Sequence, residues 1–146
     1  MQIENDCSLR RNILNVEYVS RIDGTKVLPF IIDAYVSLRK SGHIDPLSCP
    51  VTGREEAFYL ENRGRVVACL SFARDDDSFV VNMGFVLPAH RKQGMYRTLW
   101  ERLVVEARKR KLKAIVGYHA PGNMDILEFN KHLGRQTKYI CSEYLL

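Results

Sequence analysis

Apolar and polar residues follow one another along this chain in two different rhythms. From Asn12 to Ile22 the apolar positions Ile13, Val16, Tyr18, Val19 and Ile22 fall at the close spacing of a strand, and Asp23-Gly24 marks the turn after it. Leu28, Ile31, Ile32, Tyr35 and Leu38 then recur at a period of about 3.6. That stripe predicts a helix capped by Thr25 and running to about Lys40, with Pro29 inside its first turn. Ser41 to Gly53 carries two glycines and two prolines and predicts a loop, followed by a short helical turn from Arg54 to Ala57. Three strands come next as a meander: Ala57 to Glu61, Arg65 to Phe72 and Ser78 to Leu87. Their connections are short and polar, so antiparallel hairpins are expected.

Beyond Leu87 the helical rhythm returns. Lys92 to Lys111 reads as an amphipathic helix, with Met95, Leu99, Leu103, Val104 and Ala107 on one side and Glu101, Arg102, Arg108 and Lys109 on the other. Lys113 to His119 is a strand of the buried type. Asn123 to Leu133 is a second amphipathic helix with Ile126, Leu127, Phe129 and Leu133 inward, stopped by Gly134. Thr137 to Leu146 closes the pattern as a strand. The order implies one α+β domain, residues 1–146, built on a mixed and mostly antiparallel central sheet flanked by helices.

Composition narrows the class. No apolar run in the 146 residues approaches the length of about 18 that a membrane span needs. The first residues, Met1 to Arg11, lack the apolar stretch of a signal peptide, so a cytoplasmic protein is expected. Cys7, Cys49, Cys69 and Cys141 are scattered and have no histidine at metal spacing; they read as reduced thiols, with neither disulfide nor metal site. A net charge of +5 favours anionic partners without choosing among them.

The chemistry concentrates in Val86 to Leu99, V-L-P-A-H-R-K-Q-G-M-Y-R-T-L. A short apolar strand meets a proline, then a basic turn with a glycine, then the helix. Such a turn presents unpaired N–H groups at a helix N-terminus beside cationic side chains, which suits a phosphate-bearing ligand. A basic turn with one glycine is a weak signal alone; its place between a strand and a long helix, with a strand and an L-G helix following, gives it weight.

That arrangement resembles the GNAT superfamily of acyl-coenzyme A-dependent N-acetyltransferases. Val86, Pro88, Arg91 and Gly94 fit the family's V-x-P-x-x-(Q/R)-x-x-G pattern, and Asn123 with F-N-K-H-L-G-R, Phe129 to Arg135, occupies the place of its next motif. The resemblance implies acetyl-coenzyme A as co-substrate, with no metal. It implies a cofactor site of Phe85, Val86, Leu87, Arg91, Lys92, Gln93, Gly94, Met95, Tyr96, Arg97 and Asn123. The main chain of Phe85 and Leu87 would pair with the pantetheine arm as an added strand, and N–H groups from Lys92 to Arg97 would hold the pyrophosphate. Gly84 is expected to mark a bulge that splays the strand.

Two departures stand out. Tyr96 occupies a position where the pattern has a small residue, so its phenol must turn away from the phosphates. Asn130 stands where many members carry a proton-donating tyrosine, and an amide cannot give a thiolate a proton at neutral pH. Val81 likewise falls near the place of a family glutamate base, with Asn82 beside it. His119, at the end of the penultimate strand, titrates near neutrality and is a candidate acid or base. Asn130 and Tyr139 complete the catalytic candidates; Tyr118, Tyr144 and Cys141 are weaker ones. His43, His90 and His132 lack metal spacing, although His90 adjoins the phosphate turn, and Trp100 reads as packing.

The expected reaction is direct attack of a primary amine on the acetyl group. The acceptor, a small molecule or a protein, would meet a wall formed by the first helix and Ser41 to Glu56, where Asp45, Glu55 and Glu56 can attract a cation. A non-catalytic acyl-coenzyme A-binding regulator is the alternative. The basic run Arg108 to Lys113 reads as a complement to a helix C-terminus rather than as a nucleic-acid patch. Neither membrane nor nucleic acid is an expected partner, and a homodimer stays open.

Overall fold

The computed structural model describes residues 15–44, 51–118 and 124–136. Within them, strand β1 (Glu17–Val19) precedes helix α1 (Val27–Lys40). Strands β2 (Glu56–Asn62), β3 (Arg65–Asp75) and β4 (Ser78–Val86) form the meander. A short 3-10 turn at Pro88–His90 leads to helix α2 (Met95–Lys109), strand β5 (Ala114–Gly117) and helix α3 (Met124–His132). The strands lie in the order β1-β2-β3-β4-β5, antiparallel except for the parallel β4–β5 pair. The α+β class and the mostly antiparallel mixed sheet match the expectation from the periodicities. The expected strand from Thr137 to Leu146 lies outside the described residues.

Helix α1 covers one face of the sheet and α2 the other, because strand side chains alternate. Phe58, Leu60, Leu70, Phe72 and Phe79 pack against Met95, Leu99, Trp100 and Leu103 of α2. Ala57, Tyr59, Cys69 and Met83 pack against Val27 and Ile31 of α1. The N-cap position of α1 is Lys26, one residue after the expected Thr25. Thr25 Oγ1 accepts the Val27 N–H at 3.2 Å and donates to the Ile22 carbonyl at 2.6 Å, which fixes the turn leading into the helix. No helical turn forms at Arg54 to Ala57. Instead the Thr52 N–H donates to Glu55 Oε1 (2.6 Å), and the chain enters β2 at Glu56, opposite Phe72.

The alternation breaks in one decisive place. Ser71 pairs with Met83 but Phe72 pairs with Val81, so Asn82 is an extra residue in β4. Phe79 and Val81 therefore face α2, while Met83 and Phe85, of the same parity, face α1. Phe85 meets Phe30 of α1 edge-on, with ring centroids 6.0 Å apart. The bulge expected at Gly84 is thus at Asn82; Gly84 itself stays in register opposite Leu70.

A polar network ties α2 to the far edge of the sheet. Arg110 clasps Glu56 with both guanidinium nitrogens, Nη1 to Oε2 at 2.9 Å and Nη2 to Oε1 at 2.6 Å. Its Nε donates to Glu106 at 2.8 Å, and the Tyr18 hydroxyl donates to Glu56 Oε1 at 2.6 Å. The basic run thus has a structural task at Arg110, and Glu56 is committed to it rather than to a substrate cation. Burial works against charge on Glu56, but the hydrogen bonds from Arg110 and Tyr18 and the Arg110 charge outweigh it, so its carboxyl sits below the usual value.

A carboxyl with a depressed folded-state pKa contributes stability above its unfolded pKa of about 4.3 and loses it as pH falls through the lower folded value. Glu56→Gln is expected to lower the unfolding free energy by roughly 2 kcal/mol at pH 7. In urea titrations the gap to wild type should stay constant down to about pH 5 and narrow below pH 4; a gap independent of pH would contradict it.

Candidate functional site

The strand-to-helix junction after β4 has its own local logic. Pro88 opens the 3-10 turn, in which the His90 N–H donates to the Leu87 carbonyl at 2.9 Å. Lys92 (φ +60°) and Gly94 (φ +77°) then take left-handed conformations that curl the backbone around the α2 N-terminus. Glycine adopts this freely, whereas lysine there is strained, a condition that concentrates at functional sites. The first intrahelical bond runs from Thr98 N–H to the Gly94 carbonyl at 3.0 Å. As a result, the N–H groups from Lys92 to Arg97 have no acceptor among the described residues. No acidic residue stands in the first turn of α2, and Arg91, Lys92 and Arg97 lie exposed around it.

These donors stand at the positive end of a 15-residue helix, the setting of an anion cradle. Open space lies where a Gly94 side chain would begin, with no atom within 4 Å of the place its Cβ would take. A diphosphate fits such a cradle by charge, donor direction and room. Gln93, Gly94, Met95, Tyr96 and Arg97 adjoin one another at this helix start, with backbone N–H groups that have no acceptor among the described residues. Arg91 reaches back instead: its Nε donates to the Val86 carbonyl at 3.0 Å, and its guanidinium lies 5.3 Å over the Phe85 ring.

Strand parity corrects the expected pairing of Phe85 and Leu87. The Leu87 N–H already donates to the Val67 carbonyl at 2.9 Å, and by alternation the main chain of Phe85 also faces β3. The groups turned to the other edge belong to Gly84 and Val86. Described pairing with β5 runs from Ser78–Ala114 to Val81–Gly117, just ahead of the Asn82 bulge.

Tyr96 turns its ring inward, over Gly84. A Cβ on Gly84 would lie 2.4 Å from Tyr96 Cε2 and 3.1 Å from its hydroxyl oxygen. Phe129 of α3 meets the ring edge-on, with centroids 5.5 Å apart. Burial raises the phenol pKa, partly offset by the charge of Arg135, so the hydroxyl is protonated at neutral pH. Asn130 is buried, and its Oδ1 accepts from Arg135 Nη1 at 2.9 Å. Arg135 in turn lies 4.6 Å over the Trp100 ring. The sequence reasoning missed Arg135, although its position directly after the L-G pair, where the family pattern has an aromatic, was a signal.

Of the remaining candidates, Tyr118 is exposed beyond β5 and His90 turns toward Asn62, with Nε2 and Nδ2 3.4 Å apart. Glu55 is buried just ahead of β2. His119, Asn123, Tyr139, Cys141, Tyr144 and Asp45 lie outside the described residues. Among the described residues no cluster of histidine, cysteine and acidic side chains could hold a metal ion. Nor is any helix there long and apolar enough to cross a membrane.

Comparison with known proteins agrees with this geometry. Residues 33–134 match the acetyltransferase (GNAT) family, and the chain belongs to it. It is an N-acetyltransferase with acetyl-coenzyme A as co-substrate. No curated protein matches it by sequence. Its fold is shared by an aminoglycoside N-acetyltransferase solved with coenzyme A (TM-score 0.60, 12% identity, 90% of this chain and 98% of that one). A ribosomal-protein-alanine N-acetyltransferase from Brucella melitensis is similar (TM-score 0.62, 15% identity, 90% and 98% covered). So is a putative acetyl transferase from Pyrococcus furiosus (TM-score 0.67, 16% identity, 89% and 100% covered).

Gly94→Asp puts a carboxylate at the mouth of the cradle. Like charges forced together cost several kcal/mol, so coenzyme A affinity should fall by roughly 100-fold or more in titration calorimetry. Unchanged affinity would place the diphosphate elsewhere. Gly84→Ala should destabilise by roughly 1–3 kcal/mol, because the Tyr96 ring must move. In a Tyr96→Ala background the same substitution should leave the thermal midpoint unchanged, because the ring it collides with is gone.

Proposed function

We propose that this chain, acting as one N-acetyltransferase domain in the cytoplasm, transfers the acetyl group of acetyl-coenzyme A to a primary amine by direct attack. The observation that carries this reading is the run of N–H groups from Lys92 to Arg97 that have no acceptor among the described residues, at the helix start that follows β4. The cradle takes the diphosphate. The Gly84 carbonyl and the Val86 N–H pair with the pantetheine arm, which brings the thioester to the Asn82 bulge. A Gly84 N–H on that edge is placed to donate to the acetyl oxygen as negative charge develops on it.

The amine approaches from the α1 side. Glu55 lies buried there ahead of β2, and its Oε2 has no hydrogen-bond partner among the described residues, which favours a cationic acceptor. Structures of the same fold carry names of aminoglycoside and ribosomal-protein acetyltransferases, so small polyamines and protein amines both belong in a substrate panel.

Two measurements test the reading together. Acetyl-coenzyme A at 100 times its dissociation constant should add about 2.7 kcal/mol to stability, seen as a raised melting temperature. Release of free thiol with at least one amine of the panel, abolished in Gly94→Asp, completes it. No melting shift at millimolar acetyl-coenzyme A would overturn the cradle; a shift with no thiol release under any amine would favour a binding protein that does not turn over.

A further inference from the structure

The leaving sulfur of the thioester needs a proton, and Asn130 has none to give. The Asn130 amide is moreover held through Oδ1 by Arg135, which makes it an orienting group. We propose that the Tyr96 hydroxyl is the acid that protonates the departing coenzyme A sulfur, an inference that rests on the acetyl-coenzyme A reading above.

Three features of the fold converge on that hydroxyl. The extra residue at Asn82 turns Gly84 to the α2 face, and Gly84 lies on β4 beyond its described pairing with β5, with its main-chain groups turned from β3. Over Gly84 lies the Tyr96 ring, with its hydroxyl oxygen 3.1 Å from where a Cβ would stand. A larger residue at 84 would expel it. Finally, Phe129 braces the ring from α3, yet the hydroxyl makes no hydrogen bond to any described residue. A phenol fixed in place, protonated and without a partner among the described residues is poised to donate.

The step balances without any further reagent. The amine nitrogen bonds to the acetyl carbon, the carbon–sulfur bond breaks, and its electron pair goes to sulfur. The Tyr96 O–H proton passes to that sulfur. The phenolate is then reprotonated through solvent by the proton the amine nitrogen releases. Arg135, from the segment after α3, is the charged group facing the ring, and it stabilises the transient phenolate.

The test uses Tyr96→Phe, which keeps the ring over Gly84 and removes only the oxygen. Coenzyme A is bound to wild type and variant, and the thiol of the bound ligand is titrated by its ultraviolet thiolate absorbance. A hydroxyl that donates to sulfur stabilises the thiolate, so the bound thiol in Tyr96→Phe should titrate about one pH unit higher than in wild type, the size expected of a charge-assisted hydrogen bond. With an accepted amine, kcat should fall roughly 100-fold with the KM for acetyl-coenzyme A unchanged. Gly84→Ala, which leaves the phenol but displaces it, should raise the thiol titration in the same direction and serves if Tyr96→Phe does not fold. Bound coenzyme A with the same thiol titration in Tyr96→Phe as in wild type overturns the proposal alone. Failure of wild type to bind coenzyme A overturns the acetyl-coenzyme A reading and this proposal with it.

Discussion

One extra residue in one strand governs the arrangement of the site. In a regular β4, the odd-numbered side chains from Phe79 to Phe85 would all face the same helix. Asn82 breaks that parity, so Phe79 and Val81 anchor α2 while Met83 and Phe85 anchor α1. The strand thereby serves both cores in turn. The described parallel pairing with β5 reaches Val81, just ahead of the bulge. Backbone groups of β4 beyond it that turn from β3 are costly to bury unless something pairs with them. An amide-bearing ligand arm can supply that pairing.

From the bulge follows the contact between Gly84 and Tyr96. Once Gly84 faces α2, the residue above it has the whole width of a missing side chain to fill. Tyr96 fills it, and the departure from a small residue in the phosphate turn is matched by a glycine twelve positions earlier in the sequence. Its backbone N–H still belongs to the cradle while its side chain belongs to the interior. The two roles do not compete, because anion binding there depends on main-chain donors and not on what the side chain does.

The electrostatic organisation shows the same division between local and distant causes. The cradle is a local structure: proline, two left-handed residues and a helix start generate its free donors within ten positions of one another. The Glu56–Arg110 clasp joins residues 54 positions apart. The sequence showed Arg110 only as one member of a basic run. Its pairing with Glu56 emerges when β2 and the end of α2 meet at one edge of the core.

What the sequence by itself determined is what short-range physics encodes. The 3.6-residue stripes announced α1, α2 and α3, the alternating runs announced the meander, and the basic glycine turn announced the anion site. The tertiary structure decided the rest. Which backbone groups of β4 are free depended on a bulge whose residue, Asn82, carries no compositional mark. The main chain of Leu87 turned out to face β3, its N–H donating to the Val67 carbonyl, which leaves Gly84 and Val86 facing the other edge. The role of Gly84 depended on a ring from another element, and that of Asn130 on an arginine beyond its own helix. Parity and cross-element contact are properties of a packed sheet: a single inserted residue inverts every side chain after it, and no local pattern records the inversion.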